Sequence, residues 1–264
     1  MVTRHVVLLN QSSLTMSPAE LTAVATALQT QVQHDFGPEW GQHAQVRTLA
    51  AGATVPSGAW PIRILDHPQA GLGVHLDQNH HPYAEIQAGA DWSITASHEL
   101  LEMLEDPYGQ KFVQGPDIDP ASDGHLVSYL VEVCDPCETF AYQINGIAVS
   151  DFVTQDYYQA NASAVKVDFL SKLAQPYDVP RGGYISWQDP EDNRWHQKTP
   201  DGQFITARTQ IDRFRNPRDD RDQAFSSNRA QGQHDLRALF ATYAATIAPA
   251  RPPQPPNAGG STLG

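Results

Sequence analysis

The sequence has few cysteines, few basic residues in its first part and no long apolar run, and each shortage excludes a class of protein. Two cysteines in 264 residues cannot build the disulfide framework of a small secreted domain. The apolar run at 6–9 is too short for a signal-peptide core, and no later run reaches the length of a membrane span. We therefore expect a cytoplasmic protein without membrane contact, and export without a signal peptide is compatible with the same sequence.

Basic side chains are scarce in residues 1–160, which hold four of them against 19 Asp and Glu. The rest of the chain holds 13 basic and 11 acidic side chains, so the net charge of −13 belongs to the first part. Such an acidic surface repels a phosphate backbone, which argues against DNA or RNA as a partner. The acids serve either solubility or the binding of a cation.

Hydrophobic residues make up 40% of the chain, enough for one substantial core. A capping box at Ser17 and Glu20 predicts a helix that runs to about Asp35 and ends at Gly37-Pro38. A second helix is predicted over 91–106, where Pro107 ends it. Apolar segments predict strands at 5–10, 45–49, 60–65, 71–76 and 83–87. This order predicts an α+β fold with one helix packed on a sheet.

The C-terminal part is predicted to be rich in β-structure and loops. Apolar segments predict strands at 126–133 and 144–152, and a hairpin of strands at 194–198 and 203–207. Residues 214–234 are expected to form a surface loop and residues 235–247 a last helix. We expect one domain over 1–248, with its core in 1–160 and an extension in 161–248, followed by a disordered Pro/Gly-rich tail at 249–264.

The helix predicted over 91–106 has an acidic face without basic partners. With 100° between successive residues, one arc of about 120° holds His98 and four carboxylates. No basic side chain occurs between Arg63 and Lys111, so the Glu–Lys pairs that stabilise an exposed helix are missing. A bound divalent cation would compensate for the repulsion, and the alternative is an acidic surface helix that pairs with the C-terminal arginines. The four acids are Glu99, Glu102, Glu105 and Asp106.

The first residues of this face have the spacing of a known metal motif. In His-Glu-x-x-His on a helix, two ligands one turn apart face the same ion, and the Glu between them is the general base. Here the fifth position is Glu102, and glutamate is also a zinc ligand. The spacing predicts a Zn²⁺ site with His98 and Glu102 as ligands and Glu99 as catalytic base.

Four segments make the chain resemble the zincin metallopeptidases: WPIRILD, WSITASHELLEMLEDP, VEVCDPCE and INGIAVSDF. They look like a group of largely uncharacterised bacterial proteins of zincin type, over about residues 5–160. The resemblance implies a mixed twisted sheet with a backing helix and an active-site helix. It implies His98 and Glu102 as metal ligands and Glu99 as base, in an HExxE variant of the HExxH helix.

A third ligand has to come from another segment, and the acids near the end of the strand predicted over 126–133 are the candidates. Glu132 and Asp135 rank together, ahead of Glu138, because a carboxylate there projects from rigid backbone. Cys134 and Cys137 form a C-x-x-C motif. Such a pair serves as ordinary thiols, a local disulfide, or a metal or redox site, and the sequence leaves these open.

These residues predict a zinc-dependent hydrolase, in the first place a peptidase that acts on a peptide or protein substrate. The rival is a non-catalytic, degenerate zincin with a structural or assembly role, which Glu102 favours because an anionic ligand lowers the Lewis acidity of the metal. A carboxylate-bridged two-metal oxidase ranks third, because such sites use paired long helices and the sequence predicts only one helix of this kind. The arginines between 208 and 229 are expected in a solvated loop, and the oligomeric state is not determined.

Overall fold

The computed structural model describes residues 3–160, 166–213 and 215–226, and within them the chain forms two five-stranded sheets and a separate hairpin. The first sheet has the strand order β2-β1-β3-β5-β4. Its strands are β1 (Arg4–Asn10), β2 (Ala44–Thr48), β3 (Ala59–Leu65), β4 (Gly73–Gln78) and β5 (His81–Gln87). β2, β1, β3 and β5 are parallel, whereas β4 is antiparallel to β5 at the edge, since a two-residue turn at Asn79 and His80 joins the two strands. All five predicted strands are present.

The first helix begins at the predicted capping box. Ser17 Oγ accepts a hydrogen bond from the Glu20 backbone N–H at 3.1 Å, and Glu20 Oε2 accepts one from the Ser17 N–H at 2.7 Å. The resulting α1 (Pro18–Thr30) connects β1 to β2 and packs against β2, as the crossover between two parallel strands requires.

The predicted end of this helix at Gly37-Pro38 is wrong. A π-helical turn (Gln31–Phe36) follows α1, and α2 (Gly37–Trp40) continues the helix. The change of register puts Pro38 in the first turn of α2, where its missing N–H costs no hydrogen bond. The helix ends instead at Gly41, whose φ of 70° is the left-handed conformation of a helix C-terminus.

The helix predicted over 91–106 is α3 (Trp92–Glu105), and both its acidic face and its apolar face are buried. It packs against β4, β5 and the strand β9 (Ile147–Ser150) of the hairpin. Its buried apolar side chains are Ile94, Ala96, Leu100, Leu101, Met103 and Leu104, and its buried acids are Glu99, Glu102 and Glu105. A buried carboxylate needs hydrogen bonds or positive charge around it. These acids therefore indicate the position of a candidate functional site.

The second sheet is antiparallel, in the order β12-β11-β10-β7-β6. Its strands are β6 (Phe112–Pro116), β7 (Leu126–Leu130), β10 (Ile185–Asp189), β11 (Arg194–Lys198) and β12 (Phe204–Gln210). The predicted hairpin is confirmed as β11 and β12. β7 is shorter than the predicted strand, and no strand was predicted at β6 or β10. Both are short segments that contain Gly, Pro or charged residues, and they become strands by pairing with β7.

The strand predicted over 144–152 is present only at Ile147–Ser150, because the chain turns at Asn145 and Gly146. β8 (Ala141–Ile144) and β9 (Ile147–Ser150) form an antiparallel hairpin. The turn residues Asn145 and Gly146 have φ values of 52° and 81°. Positive φ at both positions is the requirement of a type I′ turn, and Asn-Gly is its preferred sequence. The local signal was therefore present in the sequence.

The surface loop expected at 214–234 is wrong where the structure describes it. α4 (Pro217–Ala224) forms there, capped by the Asn216 side chain, which accepts hydrogen bonds from two backbone N–H groups. Arg218 and Arg221 are only 2% and 4% exposed, so these two arginines are not solvated.

The structure is a mixed α/β arrangement, consistent with the predicted α+β class. One hydrophobic cluster contains residues of both sheets and of α3, among them Ile62, Leu100 and Trp187. None of the helices in the described part of the chain is long and apolar enough to cross a membrane. The predicted helix at 235–247 and the tail at 249–264 lie outside the described residues, and the single domain over 1–248 stays a prediction.

Two fully buried carboxyl groups, Asp151 and Asp168, meet beside the hairpin. Asp168 accepts backbone hydrogen bonds on both oxygens, from the N–H groups of Lys172 and Leu173, which suits an ionised carboxylate. Burial, together with the neighbouring Asp168, raises the pKa of Asp151 from 3.8 to about 9. Asp151 is therefore protonated at neutral pH, and the pair has one negative charge.

We expect Asp151→Asn to weaken the dependence of stability on pH. The folded protein binds a proton at Asp151 that the unfolded chain releases near pH 3.8, so the wild type loses stability as the pH rises from there to about 9. The asparagine keeps the shape and has no such proton. The unfolding free energy of Asp151→Asn minus that of the wild type should increase by up to about 1.4 kcal/mol per pH unit between about pH 5 and pH 8. Denaturant unfolding at several pH values measures this difference.

The matched control is Asp168→Asn. It places an amide N–H₂ against a backbone N–H donor and should destabilise the protein at every pH. Equal pH dependence of the wild type and Asp151→Asn would contradict the shared proton.

Candidate metal centre

α3 holds the two predicted ligands in contact, one turn apart. The distance from His98 Nε2 to Glu102 Oε2 is 3.3 Å, and the side chains are 12% and 4% exposed. The other oxygen, Glu102 Oε1, accepts a hydrogen bond from the Cys134 backbone N–H at 3.2 Å. This bond leaves Oε2 directed at His98, so the helical spacing predicted from the sequence produces the expected pair.

The segment after β7 brings the predicted acids to the same place. Asp135 begins a short 3₁₀ helix (Asp135–Cys137), and its Oδ1 lies 3.3 Å from His98 Nε2. The Tyr184 backbone N–H donates a hydrogen bond to the Asp135 carbonyl at 3.1 Å, which holds the turn in position. Asp135 therefore contacts a predicted ligand directly, as a third ligand should.

Glu132 is also at the site, but its nearest charged or polar neighbours are His75 and Arg221 and not His98. It is 4% exposed, and neither of its carboxylate oxygens has a hydrogen-bond partner. Its Oε2 lies 3.7 Å from His75 Nε2, and its Oε1 lies 3.3 Å from Arg221 Nη1. A buried carboxylate without hydrogen bonds is costly, so Glu132 is positioned for a cation.

His75 was missed by the sequence analysis. It lies on the edge strand β4 and is 2% exposed. Its Nδ1 is 3.4 Å from Glu99 Oε2 and 3.6 Å from Glu102 Oε2, and its Nε2 is 3.2 Å from the Asp106 carbonyl oxygen. The available signal was a histidine within an apolar strand segment just before the His-Glu helix, but only the antiparallel edge position brings it to α3.

α4 closes the site with two buried arginines that the sequence analysis also missed. Arg221 Nη1 lies 3.7 Å from Asp135 Oδ2 in addition to its contact with Glu132. Arg218 Nε and Nη1 are buried without a hydrogen bond. The helix can approach because Gly109 has a φ of 61° and lacks a Cβ, which would lie 2.6 Å from Arg218 Cβ. The two guanidinium groups give the acidic cluster internal positive charge.

Burial and mutual repulsion keep protons on the cluster. Burial raises the pKa of Glu99 to about 8, with further increases from Glu102 and Asp135. Burial also raises the pKa of Glu102, and it raises the pKa of Glu132 well above its usual range. A cation would have to displace these protons, so its binding would release protons and would strengthen as the pH rises.

The two histidines respond in opposite directions. Burial lowers the pKa of His98, but the Glu102 charge and the hydrogen bond to Asp135 outweigh this and raise it well above 6.5. For His75, burial and the positive charges of Arg218 and Arg221 lower the pKa well below 6.5. His75 is therefore a neutral imidazole, the form in which histidine binds metals.

Two groups of side chains at this site have ligand atoms within 4.8 Å of one another, as a metal ion requires. They share Glu102, and one of them includes Cys134, whose role the sequence left open. Both cysteines are free and fully buried, and burial raises the pKa of the Cys134 thiol well above 9.0. The groups are His98, Glu102 and Cys134, and His75, Glu99 and Glu102.

The other predicted acids, Glu132 and Asp135 among them, are not part of these groups. Glu138 follows the 3₁₀ helix and belongs to none of the possible metal groups among the described residues. Asp106 accepts backbone hydrogen bonds from Gln110 and Lys111 at 2.9 and 2.8 Å, so its carboxylate is satisfied as a cap of α3. Glu105 is held by Lys111 and by Gln42.

A second histidine–aspartate cluster lies on the other sheet, around Asp189 at the end of β10. His125 Nε2 is 3.0 Å from Asp189 Oδ1, and its Nδ1 is 3.1 Å from Asp123 Oδ1. These hydrogen bonds, that to Asp189 first, raise the pKa of His125 to about 9. His196 lies between Asp189 and Asp192. A protonated His125 between two carboxylates explains this cluster as an ion-pair network, although its atoms are close enough for an ion.

Comparison of the chain with protein-family models, with curated proteins and with solved structures gives no match. The assignment of a function therefore depends on the geometry and chemistry of the residues described above.

We expect Arg221→Gln to destabilise the metal-free protein by about 3–5 kcal/mol, because it removes the positive charge beside two buried carboxylates. The measurement is denaturant unfolding in the presence of a chelator. Arg215→Gln is the matched control, since Arg215 is 45% exposed in its pair with Asp212 and should change stability by less than about 1 kcal/mol. Equal effects of the two substitutions would contradict the electrostatic role of Arg221.

Proposed function

We propose that the chain is a zinc-dependent hydrolase of zincin type and that its substrate is a peptide or protein. His98 and Glu102 would hold the ion, the segment 132–135 would supply a further ligand, and Glu99 would be the catalytic base. The order of elements supports the resemblance stated above: strand, long helix, strands, the antiparallel edge strand β4, the strand β5 and then the His-Glu helix α3.

The observation that carries the proposal is the spacing around His98 Nε2. Two ligand atoms at 2.0–2.2 Å from a tetrahedral zinc ion lie about 3.3–3.6 Å apart. Glu102 Oε2 and Asp135 Oδ1 are each 3.3 Å from His98 Nε2. The Cys134 thiol is a further ligand candidate on the same side. Nitrogen, carboxylate and sulfur donors are the ligands that zinc prefers, so the residues fit the ion.

The charges of this buried cluster of acids and arginines also fit one divalent cation. Four buried acids face two buried arginines, which leaves two negative charges uncompensated when the acids are ionised. Zn²⁺ has the opposite charge of the same size, and the carboxylate oxygens of Glu132 accept no hydrogen bond although Oε1 lies near Arg221, which agrees with a need for a further cation. The acids are Glu99, Glu102, Glu132 and Asp135, and the arginines are Arg218 and Arg221.

In this proposal each residue has a defined part in hydrolysis. Bound zinc supplies Lewis acidity, which polarises the carbonyl of the bond to be cleaved and makes water more acidic. Glu99 accepts the proton of the attacking water at a carboxylate oxygen and later donates it to the leaving amine. His75 Nδ1 lies next to Glu99 Oε2, at 3.4 Å.

A second candidate function has its own supporting observation. Arg221 lies against Glu132 and Asp135, so part of the acidic cluster is neutralised by the protein itself. A non-catalytic zincin with a structural or assembly role would have such internal compensation. In that case the site binds metal for stability, or holds no metal, and does not hydrolyse peptides.

Three substitutions on α3 test the proposal, with zinc content measured by mass spectrometry and hydrolysis measured on a denatured protein and on peptides. Glu99→Gln should keep the ion at His98 and reduce hydrolysis by roughly 100-fold or more, since it removes the proton acceptor. His98→Ala should lose zinc and hydrolysis together. Glu105→Gln is the matched control on the same helix and should keep both.

The outcomes separate the candidates. Zinc in the wild type without any hydrolysis favours the non-catalytic protein. A wild type that binds no zinc, or hydrolysis that Glu99→Gln leaves unchanged, contradicts the zinc hydrolase.

A further inference from the structure

We propose that His75, Glu99 and Glu102 form a second divalent-cation site, adjacent to the proposed zinc site and sharing Glu102 with it. The inference rests on the proposed function, because Glu102 is assigned there to the first ion. His75 Nδ1 lies 3.4 Å from Glu99 Oε2 and 3.6 Å from Glu102 Oε2. These separations are those of two ligands on one ion with bonds of about 2.0–2.2 Å. Glu102 Oε2 is also the oxygen that contacts His98, so this oxygen lies between the two positions.

The hydrogen bonding of His75 leaves a place for a cation. A carbonyl oxygen can only accept, so the contact of 3.2 Å with the Asp106 carbonyl places the ring hydrogen on Nε2. In the neutral ring Nδ1 then has a lone pair, and this lone pair faces two carboxylate oxygens. Three acceptor atoms that face each other require a proton or a cation among them, and a divalent cation can take the place of the proton. A histidine that gives its other N–H to a backbone carbonyl is also the usual arrangement of a metal ligand.

Glu132 provides an independent observation. It is 4% exposed, and both its oxygens are buried without a hydrogen bond, one of them 3.7 Å from His75 Nε2. Arg221 Nη1 lies 3.3 Å from Oε1 of this carboxylate, whereas Oε2, on the side of the imidazole, has no hydrogen-bond donor. A cation bound beside the ring would reduce the cost of burying this carboxylate.

Donor types and charge indicate which ions fit and how strongly. One imidazole nitrogen and two carboxylate oxygens suit Zn²⁺, Co²⁺ or Mn²⁺. The second ion should bind more weakly than the first, because the first ion and the two arginines already balance the buried acids. Glu99 would be both a ligand of this site and the proposed proton acceptor. Occupation of the second site would then remove the free base, so excess metal should inhibit hydrolysis.

The test is a titration of the full-length, metal-free protein with Zn²⁺. Isothermal titration calorimetry measures the dissociation constants, and equilibrium dialysis with metal analysis measures the number of bound equivalents. The wild type should bind two equivalents, with dissociation constants at least about tenfold apart. His75→Ala should lose the weaker equivalent and keep the tighter one within about threefold. His98→Ala should lose the tighter one.

Two further variants keep the inference testable. The double variant His125→Ala/His196→Ala removes the imidazoles of the cluster around Asp189 and should still bind two equivalents. If His75→Ala does not fold by circular dichroism, Glu99→Gln has nearly the same shape and should weaken the second equivalent by about tenfold or more.

Each result decides between the inferences. One equivalent in the wild type, unaffected by His75→Ala, overturns the second site and leaves the proposed function in place. Loss of the second equivalent in the double variant and not in His75→Ala assigns it to the cluster around Asp189, and also overturns the inference. No bound Zn²⁺ in the wild type overturns both the second site and the proposed function.

Discussion

Negative charge that is buried between α3 and the segment after β7 is the constraint on which the rest of this structure depends. Glu99, Glu102, Glu132 and Asp135 are each at most 6% exposed, and carboxylates in such surroundings are unstable unless positive charge, protons or a metal ion accompany them. The surrounding elements provide part of this compensation. α3 contributes His98 and α4 contributes two arginines, whereas β4 places the neutral His75 among the acids.

This constraint explains why the two sheets and α4 have to come together. The first sheet supports α3 and supplies the edge strand next to it, whereas the second sheet supplies β7, from whose end Glu132 and Asp135 project. α4 then covers the acids that these elements expose. Because each partner comes from a different element, the loss of one partner affects the others through shared contacts at Glu102 and at Arg221. Such shared groups do not contribute additively to stability.

The local parts of the site could be predicted from the sequence, and the long-range parts could not. His98 and Glu102 are four residues apart on a helix, so the helical repeat alone places them together. Glu132 and Asp135 were predicted as candidates from their place near a strand end. His75 and Arg221 could not be predicted, because their contact with the acids depends on strand order and on the docking of α4. Local sequence even argued against Arg221, since alternating Arg and Asp residues are typical of a solvated surface.

The sequence by itself determined the elements with strong local signals: the capping box of α1, the strands of the first sheet, α3 with its ligand spacing, and the hairpin of β11 and β12. These depend on periodicity and turn chemistry, which act over a few residues. The tertiary structure alone decided that β6 and β10 are strands, that α4 is buried, and that the acidic face of α3 points inward. The reason is physical: an acidic helix face is stable in water or in a buried cluster of cations, and only the neighbours supplied by the fold determine which of these surrounds it.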